Sequence, residues 1–511
     1  MCGGRWKPCD GAARRMYCMK KLRQIGKNAA GDAALLAVVR AMTMCLSLIT
    51  TRVLSTNLST FAYGTYSQVL LIASTTASLT TFGLIDAINF YYCGTKDLEK
   101  RESYVATILT LQCCTGTLVG MVIVLLGGPI CKYFGNPELR RYLAFAAVLP
   151  LLQNGISILQ VLFVSVGKAR QLAVRNLVIS LAQLACAVTA GMYLRQVGLI
   201  LAASVVLNVG QILFFLWSLK KSGCCIRITA CDLKLTRSIL QYSIPMAVFT
   251  LVNALNRDTD KYLISAMSDT ETLAVYSNAA KVLPFDILLI SFMTVLLPHI
   301  TRQIAERRYG DAVKTYRAYL EISYISTALL AFSVLAAAPQ AMELLYSEKY
   351  LSGLPVFCIY IVGDIFHFAS ITLILTASGR TKLLMRLGSL GLGANFVLNI
   401  LFYWLLGMAG PALATLLVSL GLGASILHYS AKELQASIRE LFDCKFLFRF
   451  AAECIGGLLL FSYIQRWLRS VGMHYFWVLM LVAGGYLLCV GLPNMKRFFK
   501  SLKQVAALKS L

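Results

Sequence analysis

The sequence predicts an all-α membrane protein of about fourteen transmembrane helices: two six-helix lobes related by a pseudo-two-fold repeat, plus two C-terminal helices. Three observations predict it. Apolar runs long enough to cross a bilayer follow one another with short connections. Basic residues collect on alternate sides of these runs. The chain also repeats itself at an offset of about 210 residues.

The composition sets the class. Of 511 residues, 58% are hydrophobic and 14% charged, whereas soluble domains average roughly 25% charged. The mean hydropathy is +0.70. A bilayer core takes about 20 apolar residues per helix. Spans are expected near 33–51, 66–88, 104–127, 142–164, 172–193, 198–219, 239–265, 274–298, 318–338, 353–377, 384–406, 409–428, 446–465 and 475–492. The expected organisation is a basic arm at 1–30, an N-lobe at 31–220, a C-lobe at 239–430, two further helices at 446–492 and a basic tail at 493–511.

The formal charge of +25 does not indicate nucleic-acid binding, because the cations lie in short clusters between apolar runs and no solvated domain concentrates them. With the N-terminus inside, 36 of the 48 basic residues fall on inner segments or the span ends that adjoin them, and 8 on outer loops. This is the positive-inside pattern, and it places both termini in the cytoplasm. The basic N-terminus is followed by an apolar run too long for a signal peptide and reads as a retained arm.

Two motif pairs carry the repeat. Arg52-x-Leu54 precedes Tyr66-Ser67, as Lys261-x-Leu263 precedes Tyr276-Ser277, offset by 209 to 210 residues. Gly167-Lys168 precedes Gly198-x-x-Leu201-Ala202, as Gly379-Arg380 precedes Gly410-x-x-Leu413-Ala414, offset by 212. Six helices separate the copies, so the halves share one orientation.

Ionisable groups inside spans are costly and mark function by default. The seventh span holds Asn253, Asn256, Arg257, Asp258, Asp260 and Lys261. At 100° per residue, all but Asp258 fall on one face. Two readings stand side by side: a cationic wall for an anionic substrate, and a self-neutralising network in which Asp258 and Asp260 pair with Arg257 and Lys261. Arg40 is expected to face a cavity from the first span. Lys281, one turn from Asn278, either joins that cavity or snorkels outward. Arg52 either reaches the cavity or anchors an interface. Asp364 and His367, three apart, form either a proton relay for ion coupling or a self-satisfied pair. Glu453 is open between packing and a lateral groove, and Asp32 reads as an end-of-helix charge. Pro150, Pro245, Pro284, Pro339 and Pro411 imply kinks or breaks.

No P-loop, G-x-S-x-G or H-E-x-x-H pattern is present, so no enzymatic activity, cofactor or ATP hydrolysis is expected. The 16 cysteines are scattered without ligand spacing. They read as reduced and buried, with no metal.

These residues resemble a family. RVLSTNLSTFAYGTYSQVL with LTTFGLIDAINFYY, then LNRDTDKYLIS with TLAVYSNAAKVLPFD, then NFVLNILFYWLLGMAGPALAT, are similar in order and spacing to the motifs of bacterial polysaccharide-biosynthesis flippases. These belong to the multidrug/oligosaccharidyl-lipid/polysaccharide exporter superfamily. The resemblance covers roughly residues 30 to 490. It implies two lobes around a central cavity, alternating access, and a polyprenyl-diphosphate-linked oligosaccharide moved from the cytoplasmic to the outer leaflet of a bacterial inner membrane. The family's cavity cations carry over to Arg40, Arg257 and Lys261. Lys281, Asn253 and Asn256 are further substrate-binding candidates. The implied partners are the lipid-linked substrate, membrane lipids, and a glycan polymerase or glycosyltransferases of the same pathway. A cation-coupled drug antiporter of the same superfamily would need an acidic or apolar cavity. A flippase for the peptidoglycan lipid precursor is a third reading. A membrane glycosyltransferase would need a long outer loop, which the chain lacks.

Overall fold

The computed structural model describes residues 38–81, 97–165, 168–221, 232–281 and 299–507, with shorter pieces at 35, 83–85, 87–88, 91, 283, 285 and 296–297. The arm at 1–30, Asp32 and Pro284 lie outside the described residues. The described chain is helical, without a strand. Its main helices are α1 Val38–Asn57, α2 Thr60–Thr81, α3 Leu98–Leu125, α4 Leu143–Ser165, α5 Ala169–Ala187, α6 Val197–Lys221, α7 Leu233–Met267, α8 Thr270–Ala279, α9 Tyr309–Ala336, α10 Leu354–Phe366, α11 Thr381–Leu406, α12 Ala409–Glu433, α13 Cys444–Ser470, α14 Tyr475–Tyr486 and α15 Leu492–Ala507.

Eleven described helices are long and apolar enough to cross a membrane, which makes this a multi-pass membrane protein. The three of the fourteen expected spans missing from that set are α2, α7 and α8. α2 is rich in Thr and Ser, whose hydroxyls fold back onto their own helix: Thr65 donates to the Phe61 carbonyl at 3.0 Å and Ser67 to that of Tyr63 at 2.9 Å. α7 carries the charged cluster. The expected eighth span runs past Lys281 into undescribed residues.

Helix boundaries follow the repeat. α1 ends at Asn57 and α7 at Met267; α2 begins at Thr60 and α8 at Thr270; both steps are 210 residues. α5 and α11 begin at Ala169 and Thr381, and α6 and α12 at Val197 and Ala409, both 212 apart. Side-chain caps fix several ends. The Asp269 carboxylate accepts from the Thr272 N–H at 2.6 Å, and that of Asp443 from Phe446 at 3.2 Å, satisfying first-turn donors that have no partner in the helix.

α9 is the axis of the C-lobe, with buried Ala312, Tyr316, Tyr319, Ile322 and Ile325. Helices α13 and α14 join this core through Phe446, Phe450, Phe461, Val478 and Val482. Four expectations change. The tenth span does not run unbroken to residue 377: α10 stops at Phe366, a tight turn spans His367–Ser370, and a short helix resumes at Leu373. Pro339 and Pro411 lie in the first turns of their helices, where proline is tolerated, and so do not kink them; Pro150 does lie inside α4. The basic tail forms α15, whose Arg497 binds Asp443 at 2.7 Å and also Glu321 of α9. The described cysteines are free, several of them exposed on the helices and not buried as expected.

Candidate functional site

The polar segment of α7 sits where the lobes meet. α7 packs against α2 and α3 of the first lobe and α8, α11 and α12 of the second. Asp258 is the hub of its charges. Lys261 Nζ lies 2.7 Å from one carboxylate oxygen and Arg257 Nη2 3.3 Å from the other. The partners differ in exposure: the Asp258 side chain is 5% exposed, that of Lys261 23% and that of Arg257 63%. Arg257 therefore holds its carboxylate loosely and offers most of its fork to open space. It lies ten residues before the end of α7, about 15 Å from that helix end. A guanidinium at such depth is stable only toward water or an anion, not toward lipid.

Asp260 departs from the expected network. It is 1% exposed and pairs with no cation among the described residues. It accepts from the Tyr276 hydroxyl of α8 at 2.7 Å, from the Tyr360 hydroxyl of α10, and from the Lys261 backbone N–H at 2.8 Å. At 100° per residue Asp260 belongs on the face of the cations and Asp258 off it. Two tyrosines from other helices reverse this; in the sequence Tyr276 stands out only as part of the repeat and family motifs, and Tyr360 not at all, because aromatics are ordinary in apolar runs. Asn256 donates to the Gly388 carbonyl of α11 at 3.0 Å, so its amide ties two helices of one lobe. Asn253 lies on α7, and its side chain is outside the described residues.

Arg40 is exposed and makes no ion pair among the described residues. It does not share a layer with Arg257. The 210-residue repeat matches Arg257 to Ser47, and Arg40 precedes Ser47 by seven residues, about 10 Å of helix rise. The cations thus stand at successive depths. Lys281 is not turned outward: its Nζ donates to Thr51 of α1 at 2.5 Å, and Lys261 lies within electrostatic reach. Arg52 likewise braces the lobes by donating to the Glu343 carbonyl.

These last contacts belong to a seam that closes one end of the bundle. There Tyr63 donates to Asn278 at 2.7 Å and Lys349 to the Thr56 carbonyl at 2.9 Å; farther along α2, Tyr262 donates to Thr75 at 2.7 Å. At Gly64 a Cβ would meet the Thr270 carbonyl at 2.2 Å. The seam lies where α1 ends, α2 starts, α7 ends and α8 starts, opposite the end that carries Lys168, Lys221, Arg302 and Lys500. The former is the far end, the latter the basic end.

Asp364 is half-buried near the last turn of α10, and His367 is exposed in the turn beyond it. Glu453 pairs with Arg449 at 3.1 Å and accepts from Asn494 at 2.8 Å, a packing role that holds α15 to α13. No group of His, Cys, Asp and Glu among the described residues could hold a metal.

Comparison with known proteins agrees with this architecture. A "Lipid II flippase MurJ, inward closed conformation" aligns with a TM-score of 0.67 at 16% identity, covering 92% of this chain and 99% of that one. An inward-facing multidrug resistance MATE family transporter of the MOP superfamily aligns at 0.62 with 15% identity, covering 78% and 98%. A Vibrio cholerae MATE transporter aligns at 0.57 with 13% identity, covering 81% and 98%. At these identities the likeness is one of fold. No curated protein sequence matches the chain. The family described as polysaccharide biosynthesis protein matches residues 52–355, more than half of the sequence. The chain belongs to the polysaccharide biosynthesis protein family.

Proposed function

We propose that this protein is a flippase that moves a polyprenyl-diphosphate-linked oligosaccharide across the inner membrane by alternating access. The observation that carries the reading is Arg257, a mostly exposed guanidinium at membrane depth whose carboxylate partner holds it only at 3.3 Å. A diphosphate shedding its hydration needs fixed positive charge in a low-dielectric space. Charge-assisted hydrogen bonds there contribute about 1.5–3 kcal/mol each. Arg40 nearer the basic end, Arg257 deeper, and Lys261 and Lys281 toward the seam form a ladder an anionic headgroup could climb. The Lys/Arg bias assigns the basic end to the cytoplasm, so the seam closes the side away from the cytoplasm.

The family supports a glycan substrate. The cation ladder argues against cationic drugs, which need an acidic or apolar cavity. The test is surface glycan at matched protein level in a strain depending on this protein. Arg257→Ala should abolish export, and Arg257→Lys should reduce it in part, because the charge stays but the bidentate fork is lost. Under the alternative that Arg257 serves only structure, Arg257→Ala would leave surface glycan near the wild-type level once protein amounts are matched; that outcome would overturn the reading.

A further inference from the structure

A second cationic feature lies away from the lobe interface. Between α5 and α6, at the basic end, runs a groove of about 1180 Å³. Its walls are apolar and open: Val174, Val178, Val206 and Trp217 are each more than half exposed. Its lining contains Lys168, Arg170, Arg175 and Lys221 and, among the described residues, no acidic one. Arg175 is only 9% exposed, yet no carboxylate among the described residues meets it. It binds the side-chain oxygens of Asn176 and Gln211 and stacks 4.6 Å over the Phe215 ring, and its Nε has no hydrogen-bond partner. Lys168 is held by the Ser218 carbonyl at 2.7 Å. Lys221 lies 5.3 Å over the Trp217 ring, and exposed Arg170 has no hydrogen bond or ion pair among the described residues.

We propose that this groove binds an anionic glycerophospholipid from the leaflet at the basic end. A buried, unneutralised arginine beneath two available cations is a site for a phosphate. Dimensions select a lipid over a free ion. From Lys221 to Val206 the α6 wall rises about 22 Å, enough to cover one leaflet's roughly 15 Å of hydrocarbon and the headgroup layer above it. Trp217 stands at the level where an interfacial aromatic belongs. The lining also selects against a glycan-bearing lipid. Among the described residues, Gln171, Gln211 and Ser218 are its only side chains that are polar and uncharged apart from the Trp217 indole; Gln211 is engaged with Arg175 and Asn208, and Ser218 with Lys168, and none of the described lining residues is a carboxylate that could accept from sugar hydroxyls. This inference does not rest on the identity of the transported substrate.

Native mass spectrometry of the purified full-length protein tests it, with phosphatidylglycerol and phosphatidylcholine of matched chains offered in equal amounts. Wild type should retain phosphatidylglycerol at least tenfold over phosphatidylcholine. Arg170→Ala with Lys221→Ala should cut that preference at least fivefold; both residues are exposed, so the fold should tolerate the change. Gly210→Leu should cut bound phosphatidylglycerol similarly, because a Cβ at Gly210 meets nothing within 4 Å and the longer side chain would fill the acyl path without a clash at its root. Inorganic phosphate at millimolar concentration should not displace the lipid. Equal retention of the two lipids, a preference that survives both variants, or displacement by inorganic phosphate would overturn the proposal. Displacement of phosphatidylglycerol by an equal amount of undecaprenyl diphosphate, lost in Gly210→Leu, would overturn it in favour of a substrate-loading groove.

Discussion

Arg257 and Lys261 stand one turn apart on α7 and share Asp258, yet their substitutions should behave differently. Arg257 is 63% exposed on a 3.3 Å contact, so its loss should change stability by less than about 1 kcal/mol while removing export. Lys261 is shielded and bound at 2.7 Å. Asp258→Asn leaves that ammonium short of its counter-charge and should cost about 1–3 kcal/mol, read as a lower melting temperature of the purified protein. The same measurement applies to Tyr360→Phe, which takes one of two tyrosine donors from the buried Asp260 and should cost a similar amount. The sequence showed that charges cluster on this helix, because ionisable residues stand out in an apolar run. It did not show which carboxylate serves the cations. A lysine reaches back three residues as readily as it shares a helical face, and the fate of Asp260 was decided by tyrosines on two other helices.

At the scale of elements, the far-end seam turns on the approach of α2 to α8. Gly64 lets the Thr270 backbone come so close that a Cβ would lie 2.2 Å from its carbonyl oxygen. Gly64→Leu should therefore hold the lobes apart there. In a cysteine-free background, a cysteine placed at Asn278 should react several-fold faster with a membrane-impermeant thiol reagent once Gly64→Leu is added; unchanged labelling would mean the seam does not depend on this contact. The repeat that brings α2 and α8 together was legible, since its 209–212 residue offset reappears in the helix ends. The break after Phe366 was not legible, because the apolar run continues through it. Nor was α15: its alternation of Phe498, Leu502 and Val505 with Arg497, Lys500 and Lys503 is that of an amphipathic helix, but it begins where the last apolar run stops. Its docking carries a pH signature. The bond from Arg497 and the Phe446 N–H hold the Asp443 carboxyl below its ordinary value. A depressed carboxylate stabilises the folded state above its unfolded value of about 3.9 and loses that contribution as pH falls through the folded value. Hydrogen-exchange protection of residues 492–507 should hold at pH 5 and fade only below about 4, and Arg497→Met should lower it at neutral pH.

Across the whole molecule, a far end closed by uncharged hydrogen bonds, two lysines and one arginine stands beyond a ladder of cations at increasing depth from the basic end. Closing contacts of this kind are individually modest, roughly 0.5–1.5 kcal/mol for a typical neutral bond, so a bound anion drawn to the deeper cations could exchange them for contacts of its own and let the far end open. Whether such exchange moves a lipid-linked glycan is measured most directly in liposomes holding the purified protein and a fluorescent polyprenyl-diphosphate oligosaccharide, with an impermeant reagent that destroys the sugar label from outside. Protein-free vesicles protect the label of the inner leaflet, about half of the total. Wild-type protein should expose nearly all of it, and Arg257→Ala should return the protected fraction to the protein-free level. Wild-type vesicles that protect as much label as empty ones, or Arg257→Ala vesicles that expose as much as wild type, would contradict the account.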